Sequence, residues 1–258
     1  MKKLGIIPAR MASSRFPGKP MKKILGIPMI EHCYTRSKMC LDLDEIYVAT
    51  CDQEIYEYIK SIGGKAIMTS DIHERATERT GEALLKIEKQ ENLKYDIIIM
   101  IQGDEPLVHP QMLSKMIVPF VDDNNIEVTN LMVKLYEPEE ISSADIVKVV
   151  VNRNNKAIYM SREAIPSNRN YKNKVNYFRQ LGLIAFKRDA IINYISLNPT
   201  KLEVIESVDM NRFLENDIAI NMIETNLNVD GVDTPQDLIR VEKKMAKDEL
   251  YELYKYKP

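Results

Sequence analysis

The chain has 258 residues, 45% of them hydrophobic and 29% charged, with a formal net charge of -2. That composition sustains a sizeable core in one large α/β domain, and the near-neutral balance excludes a general nucleic-acid binder, which carries a basic excess. No apolar run approaches the length of a membrane span, so no membrane partner is expected.

Met1-Lys2-Lys3 is basic, but the apolar run behind it, Leu4 to Ile7, is too short for a secretory signal and reads as a buried first strand ended by Pro8. The loop from Pro8 to Pro20 holds three prolines and a glycine, so it is not a helix. Pro28 to Lys38 has helical spacing, with the proline near the first turn. Strands follow at Glu45 to Thr50 and Lys65 to Met68, separated by a helix over Gln53 to Ile62 that Gly63-Gly64 closes. Thr80 to Gln90 is helical, and Tyr95 to Ile101 is a nearly continuous apolar strand, as burial on both faces requires. This alternation predicts a mostly parallel sheet flanked by helices, with ligands at the carboxyl ends of its strands, on the loops after Ile7, Met68 and Ile101. Farther on, Val128 to Leu135, Val147 to Val151 and Gln180 to Phe186 read as strands, Asp189 to Leu197 as a helix, and Ser167 to Asn176 as an exposed loop. Thr234 to Lys247 is a helix capped by Asp233 or Thr234, with Pro235 in its first turn. Cys33, Cys40 and Cys51 form no C-x-x-C pair. They read as free thiols in a reducing compartment, and the cytoplasm is the expected address.

Four segments carry residues suited to a nucleotide. In the first loop, Arg10, Ser13, Arg15, Gly18 and Lys19 have the make-up of a phosphate clamp: the glycine admits close backbone approach and the cations neutralise charge. The Walker spacing is absent, and a solvated basic loop is the competing reading. Gln102-Gly103-Asp104-Glu105-Pro106 follows the most apolar strand, where a carboxylate can hold magnesium beside substrate phosphates; a plain solvated turn is the alternative. Asp233 either caps the last helix or supplies a second carboxylate to that metal. In His73-Glu74-Arg75-Ala76-Thr77-Glu78-Arg79 no second histidine stands at zinc spacing, and Arg75 and Arg79 either face an anion or lie on a solvated loop. His32 and His109 have no evident partners and read as structural.

Taken together and in order, these segments resemble one family. Ile6-Ile7-Pro8-Ala9-Arg10, Ser13-x-Arg15-x-Pro17-Gly18-Lys19-Pro20, Gln102-Gly103-Asp104-Glu105-Pro106 and Gly231-Val232-Asp233-Thr234-Pro235-x-Asp237-Leu238 are similar to motifs of the 3-deoxy-manno-octulosonate (Kdo) cytidylyltransferases. His73-x-x-x-Thr77-Glu78-Arg79, Val147-Lys148-Val149-Val150 and Ser161-Arg162-x-x-Ile165-Pro166 extend the resemblance, which runs from Lys3 to about Glu242. It implies a nucleotide-diphospho-sugar transferase-like α/β fold, with a mostly parallel sheet, flanking helices and a smaller acceptor and dimerisation lobe. It implies a homodimer that uses CTP, Mg2+ and a small acidic acceptor. One domain would span 1–258, with about 1–125 as the nucleotide-binding half and about 126–258 as the acceptor and dimerisation half. By the resemblance, Arg10, Ser13, Arg15 and Lys19 handle the triphosphate, with Lys19, Arg10 and Asp104 as the catalytic set. Pro8, Ala9, His73, Thr77 and Arg79 complete the nucleotide site, Gln102 sits near the cytosine or ribose, and Asp104 and Asp233 hold the metal.

The acceptor side departs from the family pattern. The family strand matching Gln180 to Phe186 opens with histidine and carries tyrosine where Ala185 stands, and Asp209-Met210 replaces a glutamate–glutamine pair. Arg75-Ala76 replaces serine-glycine, and Ser167 replaces a tryptophan. Arg75, Arg162, Gln180, Asp209 and Met210 are the expected acceptor contacts. Each polar group left unmatched costs on the order of 1–3 kcal/mol, so the expected acceptor is a modified sugar acid, with a phosphonate or phosphorylated small molecule as the alternative. Two further readings are disfavoured. A glycosyltransferase would place its D-x-D after a strand, whereas Asp42-Leu43-Asp44 precedes one, and a non-catalytic nucleotide-binding homologue would have no need of Lys19, Asp104 and Asp233.

Overall fold

The structure, a computed structural model, describes residues 1–12, 15–169, 175–227 and 230–255. It divides into two compact units, Met1–Ser114 with Val229–Pro258, and Lys115–Asn228. Among the described residues no helix is long and apolar enough to cross a membrane.

The first unit begins with β1 (Lys3–Ala9), a 3-10 turn (Lys19–Met21) and the short hairpin β2 (Lys23–Ile24) and β3 (Ile27–Pro28). Then come α1 (Met29–Lys38), β4 (Glu45–Thr50), α2 (Gln53–Ser61), β5 (Ala66–Met68), α3 (Ala76–Glu91) and β6 (Ile97–Met100). The four long strands pair in parallel in the order β6-β1-β4-β5. From β1 the chain adds strands outward on one side, then α3 carries it back across the sheet to lay β6 on the other side of β1. The loops after β1 and β6 therefore part at a switch point, where open α/β sheets bind their ligands. All four β6 residues are at most 1% exposed, which accounts for the unbroken apolar run.

Pro8 does not end β1 as its chemistry suggests. The Ile6 backbone faces β6, accepting from the Ile101 amide at 2.9 Å, and that ladder ends at the Ile6–Met100 pair. Pro8 faces the same side one step beyond the ladder, so its missing N–H leaves no partner unsatisfied while pairing with β4 continues to Ala9. The helix expected from Thr80 starts at Ala76 instead. Its first turn is polar in sequence yet buried, with Thr77 at 0% and Arg79 at 3% exposure, so tertiary contacts extend it where propensity does not.

α4 (Pro110–Asp122), within which the boundary between the units falls, leads to β7 (Val128–Leu135), α5 (Pro138–Ser142), β8 (Lys148–Val151), β9 (Ala157–Ser161) and β10 (Tyr177–Lys187). α6 (Arg188–Ser196), α7 (Lys201–Glu206), α8 (Asn211–Leu214) and β11 (Ile220–Glu224) complete the second unit. Here β7 pairs antiparallel with β10 and parallel with β11, while β8 and β9 form an antiparallel pair. The β7–β10 register shifts between Gln180 and Ile184. Buried Asn130 fills that irregularity, donating to the carbonyls of Leu181 at 2.7 Å and Leu183 at 2.9 Å. Of the exposed loop expected over Ser167 to Asn176, residues 170–174 lie outside the described residues, and 167–169 and 175–176 carry no helix or strand.

The chain returns to the first unit with α9 (Pro235–Met245) and α10 (Glu249–Glu252). Val241 and Met245 of α9 pack with Val232 on Ile24 and Met29. Arg36 of α1 clasps Asp248 at 2.7 and 3.3 Å, and His32 meets the Tyr254 hydroxyl at 2.8 Å. This fastening holds the segment before α9, with Asp233, beside the ends of β1 and β6.

Candidate active site

A cavity of about 300 Å³ opens at that switch point, lined entirely by the first unit. The end of β1 contributes Pro8, Ala9 and Arg10, and the loop behind it contributes Ala12, Arg15, Lys19 and Pro20. Local geometry explains this loop. Gly18 adopts φ +68°, open to glycine, and its amide closes onto the Met11 carbonyl at 3.0 Å. Asp52 accepts from the Met11 amide at 2.8 Å, tying the loop to the end of β4. The turn that follows turns Lys19 inward, to 9% exposure.

After β6, Gln102, Gly103 and Asp104 line the opposite wall. A Cβ on Gly103 would stand 2.8 Å from the Pro8 carbonyl, so only glycine lets the two loops approach this closely. The Val232 amide donates to the Asp104 carbonyl at 2.9 Å, bringing the segment before α9 alongside. Of the two candidates for the α9 cap, the structure uses Thr234, whose hydroxyl accepts from the Asp237 amide at 3.2 Å. The Asp233 carboxylate turns instead to Lys19 at 3.1 Å and Arg15 at 3.0 Å.

Lys19 Nζ thus lies between two carboxylates, 2.8 Å from Asp104 and 3.1 Å from Asp233. Burial opposes its charge, but the two carboxylates outweigh burial and raise its pKa, so the ammonium stays protonated through the neutral range. Among the described residues no group of three or more His, Cys, Asp or Glu forms a metal cage. Two carboxylates converging on one point are nonetheless the donor set that magnesium takes when phosphate oxygens supply the rest, so the pair fits a divalent cation.

The remaining wall comes from the segment before α3 and its first turn: His73, Glu74, Arg75, Ala76 and Arg79. Arg10 Nη1 donates to the His73 carbonyl at 3.4 Å. Arg79 donates through Nη1 to the Thr69 hydroxyl at 2.5 Å and the Ser70 carbonyl at 3.1 Å, while its buried Nη2 has no hydrogen-bond partner among the described residues. Five cations, Arg10, Arg15, Lys19, Arg75 and Arg79, face three carboxylates, Glu74, Asp104 and Asp233. The positive excess, with the N-terminus of α3 in the wall, favours an anionic ligand.

Of the nucleotide residues expected from sequence, Pro8, Ala9, Arg10, Arg15, Lys19, His73, Arg79 and Gln102 all line this cavity, and Arg75, expected at the acceptor, lines it as well. Thr77 is fully buried behind the wall, its hydroxyl 3.8 Å from the Met100 sulfur. Ser13 lies outside the described residues. The other expected acceptor contacts belong to the second unit. Arg162 donates to the carbonyls of Glu206 at 2.8 Å, Ala144 at 3.0 Å and Ser207 at 3.2 Å. Gln180 donates to Asn130 at 2.9 Å, Asp209 precedes α8, and Met210 is 0% exposed. In the rival D-x-D, Asp44 is spent on the start of β1, accepting from the Lys3 amide at 2.7 Å.

Comparison with known proteins identifies the family. The cytidylyltransferase family profile matches residues 4–222. A 3-deoxy-manno-octulosonate cytidylyltransferase of Fusobacterium nucleatum is 43% identical over 241 residues, 93% of this chain and 96% of that protein. The chain belongs to this family. The enzyme of the same name from Geobacter metallireducens is 36% identical, over 96% of this chain and 99% of its own. A solved CMP:2-keto-3-deoxy-manno-octonic acid synthetase complexed with CTP superposes with a TM-score of 0.86 at 36% identity, covering 96% of this chain and 99% of that one. The chain is accordingly a nucleotidyltransferase of the cytidylyltransferase class.

What motif reading missed is the support behind the wall. Glu82 and Lys86 follow Arg79 at helical spacing, a signal present in the sequence, but the segment they face is set only by the fold.

Proposed function

We propose that the protein transfers CMP from CTP to a sugar acid of the 3-deoxy-manno-octulosonate type, with release of pyrophosphate. The observation that carries this reading is the placement of Lys19 between Asp104 and Asp233 in a cavity with excess positive charge. The names of the relatives and the CTP complex of the similar structure support the same substrates.

In this mechanism an acceptor oxygen attacks the α-phosphorus in line with the departing pyrophosphate, and no covalent enzyme intermediate forms. The protein aligns the partners and stabilises charge. Asp104 and Asp233 would hold Mg2+, which when bound supplies positive charge to the α-phosphate and the acceptor oxygen. Lys19, Arg10 and Arg15 stabilise the negative charge that grows on the leaving group. Arg79 adds positive charge to the nucleotide wall, and Gln102 lies by the cytosine or ribose.

One residue favours a more anionic acceptor, a phosphonate or phosphorylated small molecule: Arg75 adds a cation to the wall where the family pattern has serine. The nucleotide is assigned to the first unit, to which 229–258 returns, and the rest of the half of about 126–258 to the acceptor and the dimer partner. A homodimer at a cytoplasmic address completes the reading, and sedimentation equilibrium tests the assembly. The reaction is tested by pyrophosphate release from Mg·CTP across Kdo, amino-Kdo, sialic acid, phosphonates and phosphorylated small molecules, with UTP as control. Release that requires one acid and CTP sustains the proposal. Bound CTP with no release across the panel favours an acceptor outside it first and a non-catalytic homologue second.

A further inference from the structure

His73, Glu74 and Arg75 form a wall of the cavity, yet they lie on a segment between β5 and α3 with no helix or strand of its own. One face of α3 holds the end of β5 and that segment at Thr69, Ser70 and His73. Lys86 Nζ donates to the Met68 carbonyl at 2.9 Å, and Arg79 reaches Thr69 and the Ser70 carbonyl. Glu82 accepts from the Ser70 amide at 2.9 and 3.2 Å and from His73 Nε2. Residues 79, 82 and 86 follow each other at three and four positions, the spacing that aligns side chains along one helical stripe.

Glu82 is the unexpected member of this group. A carboxylate behind a wall that faces an anion works against binding unless it has another task. It is not among the residues lining the cavity, and it does not join Asp104 and Asp233. Its two oxygens are taken up by the Ser70 amide, the His73 ring and Lys86, the last at 2.7 Å. Burial alone would raise its pKa, but Lys86, the Ser70 amide and His73 hold it down to about 2. It therefore stays ionised at any pH where the enzyme works. Since an ionised carboxylate only accepts, His73 carries its proton on Nε2. The backbone of the same histidine receives Arg10 through its carbonyl. A single carboxylate thus connects α3, the wall segment and the first cation after β1.

We infer that Glu82 is a positioning residue, which fastens Ser70 and His73 to α3 and so sets where Arg10 and Arg75 meet the substrates. This inference rests on the proposed function for its substrates, but its structural half can be read without them.

The test uses the full chain carrying Glu82→Ala or Glu82→Gln. CTP affinity in the presence of Mg2+ is measured by calorimetry, the KM for CTP and kcat by pyrophosphate release, and amide exchange over residues 68–76 by mass spectrometry. Glu82→Ala is expected to weaken CTP binding about tenfold and raise the KM in step, with kcat changed less than about threefold. Exchange should rise in the 70–75 segment and nowhere else. Glu82→Gln keeps an oxygen for the Ser70 amide and should restore affinity to within about threefold of the unsubstituted protein. The inference is overturned if Glu82→Ala binds CTP as the unsubstituted protein does, if the glutamine variant is as impaired as the alanine one, or if exchange rises across the whole first unit. Should the unsubstituted protein bind no CTP, the proposed function fails, and local exchange in Glu82→Ala still decides whether this side chain holds the wall.

Discussion

Lys19 and Arg162 are both long cations within family-like motifs, and they end in different company. Lys19 meets two carboxylates in a cavity, partners that a metal ion and a triphosphate can take over. Arg162 meets three backbone carbonyls of its own unit, and nearby Lys148 is likewise spent on the carbonyls of Ser143, at 2.8 Å, and Ile146, at 2.7 Å. Glu206 completes that second cluster, accepting from Tyr159 at 2.8 Å, Ser161 at 2.9 Å and the Arg162 amide at 2.9 Å. The difference teaches that a motif residue's chemistry is decided by whether its partners can be exchanged. Charges paired to other side chains at a cavity remain available to a ligand, whereas charges closed on backbone carbonyls hold the fold.

The largest expected effect lies on the exchangeable side. Asp104→Asn keeps the shape but removes the charge, and turnover should fall by about 10²–10³ while CTP affinity changes much less. Steady-state kinetics with calorimetry checks this. An equal loss in affinity and turnover would mean that Asp104 holds the loop and not the reaction.

The first unit also contains a polar side chain used for the fold alone, and pH exposes it. His32 is fully buried, and its Nε2 must donate to the Ile24 carbonyl at 2.9 Å, so Nδ1 accepts from Tyr254. Burial lowers its pKa from 6.5 to about 4. Between those values the unfolded chain binds the proton and the folded one does not. Stability is therefore full above pH 6.5, falls as the pH drops toward 4, and loses roughly 3 kcal/mol across that window. Urea denaturation from pH 7.5 to 4.5 measures the loss, and His32→Gln should flatten the slope. An unchanged slope would remove His32 as its cause.

The two clusters also differ in how far a sequence can announce them. β6 was legible because four consecutive buried residues leave an apolar run, and Thr234 at the start of α9 was legible because caps are local. Pro8 misled because the end of a ladder on one side of β1 is a property of pairing, and Ala76 to Arg79 misled because burial, not propensity, extends α3. Motif order brought Arg10, Lys19, Asp104 and Asp233 into view. It could not reveal that Asp233 leaves the cap to Thr234, nor that Arg162 donates to Ala144 and Ser207. Those partners are close only in the folded chain, and Glu82 escaped notice for the same reason.

A smaller effect separates contact from support in the second unit. Arg162→Lys loses the fork that reaches three carbonyls and should cost about 1–2 kcal/mol in stability, with the acceptor KM changed less than about threefold. Chemical denaturation and kinetics on the same sample check it. A tenfold rise in acceptor KM at unchanged stability would instead put the guanidinium on the acceptor. Smallest is Arg75→Ser, which should shift preference between a sugar acid and a more anionic acceptor by about three- to tenfold without altering CTP affinity, read from the ratio of kcat/KM values. No shift would remove Arg75 from acceptor choice.

The most direct test of the central claim follows the α-phosphate. With Mg2+, α-labelled CTP and a panel of sugar acids, the label should pass to one acid as a CMP conjugate, matched by released pyrophosphate, and Asp104→Ala should abolish the transfer. CTP bound without transfer to any acid, or transfer that persists in Asp104→Ala, would contradict the account.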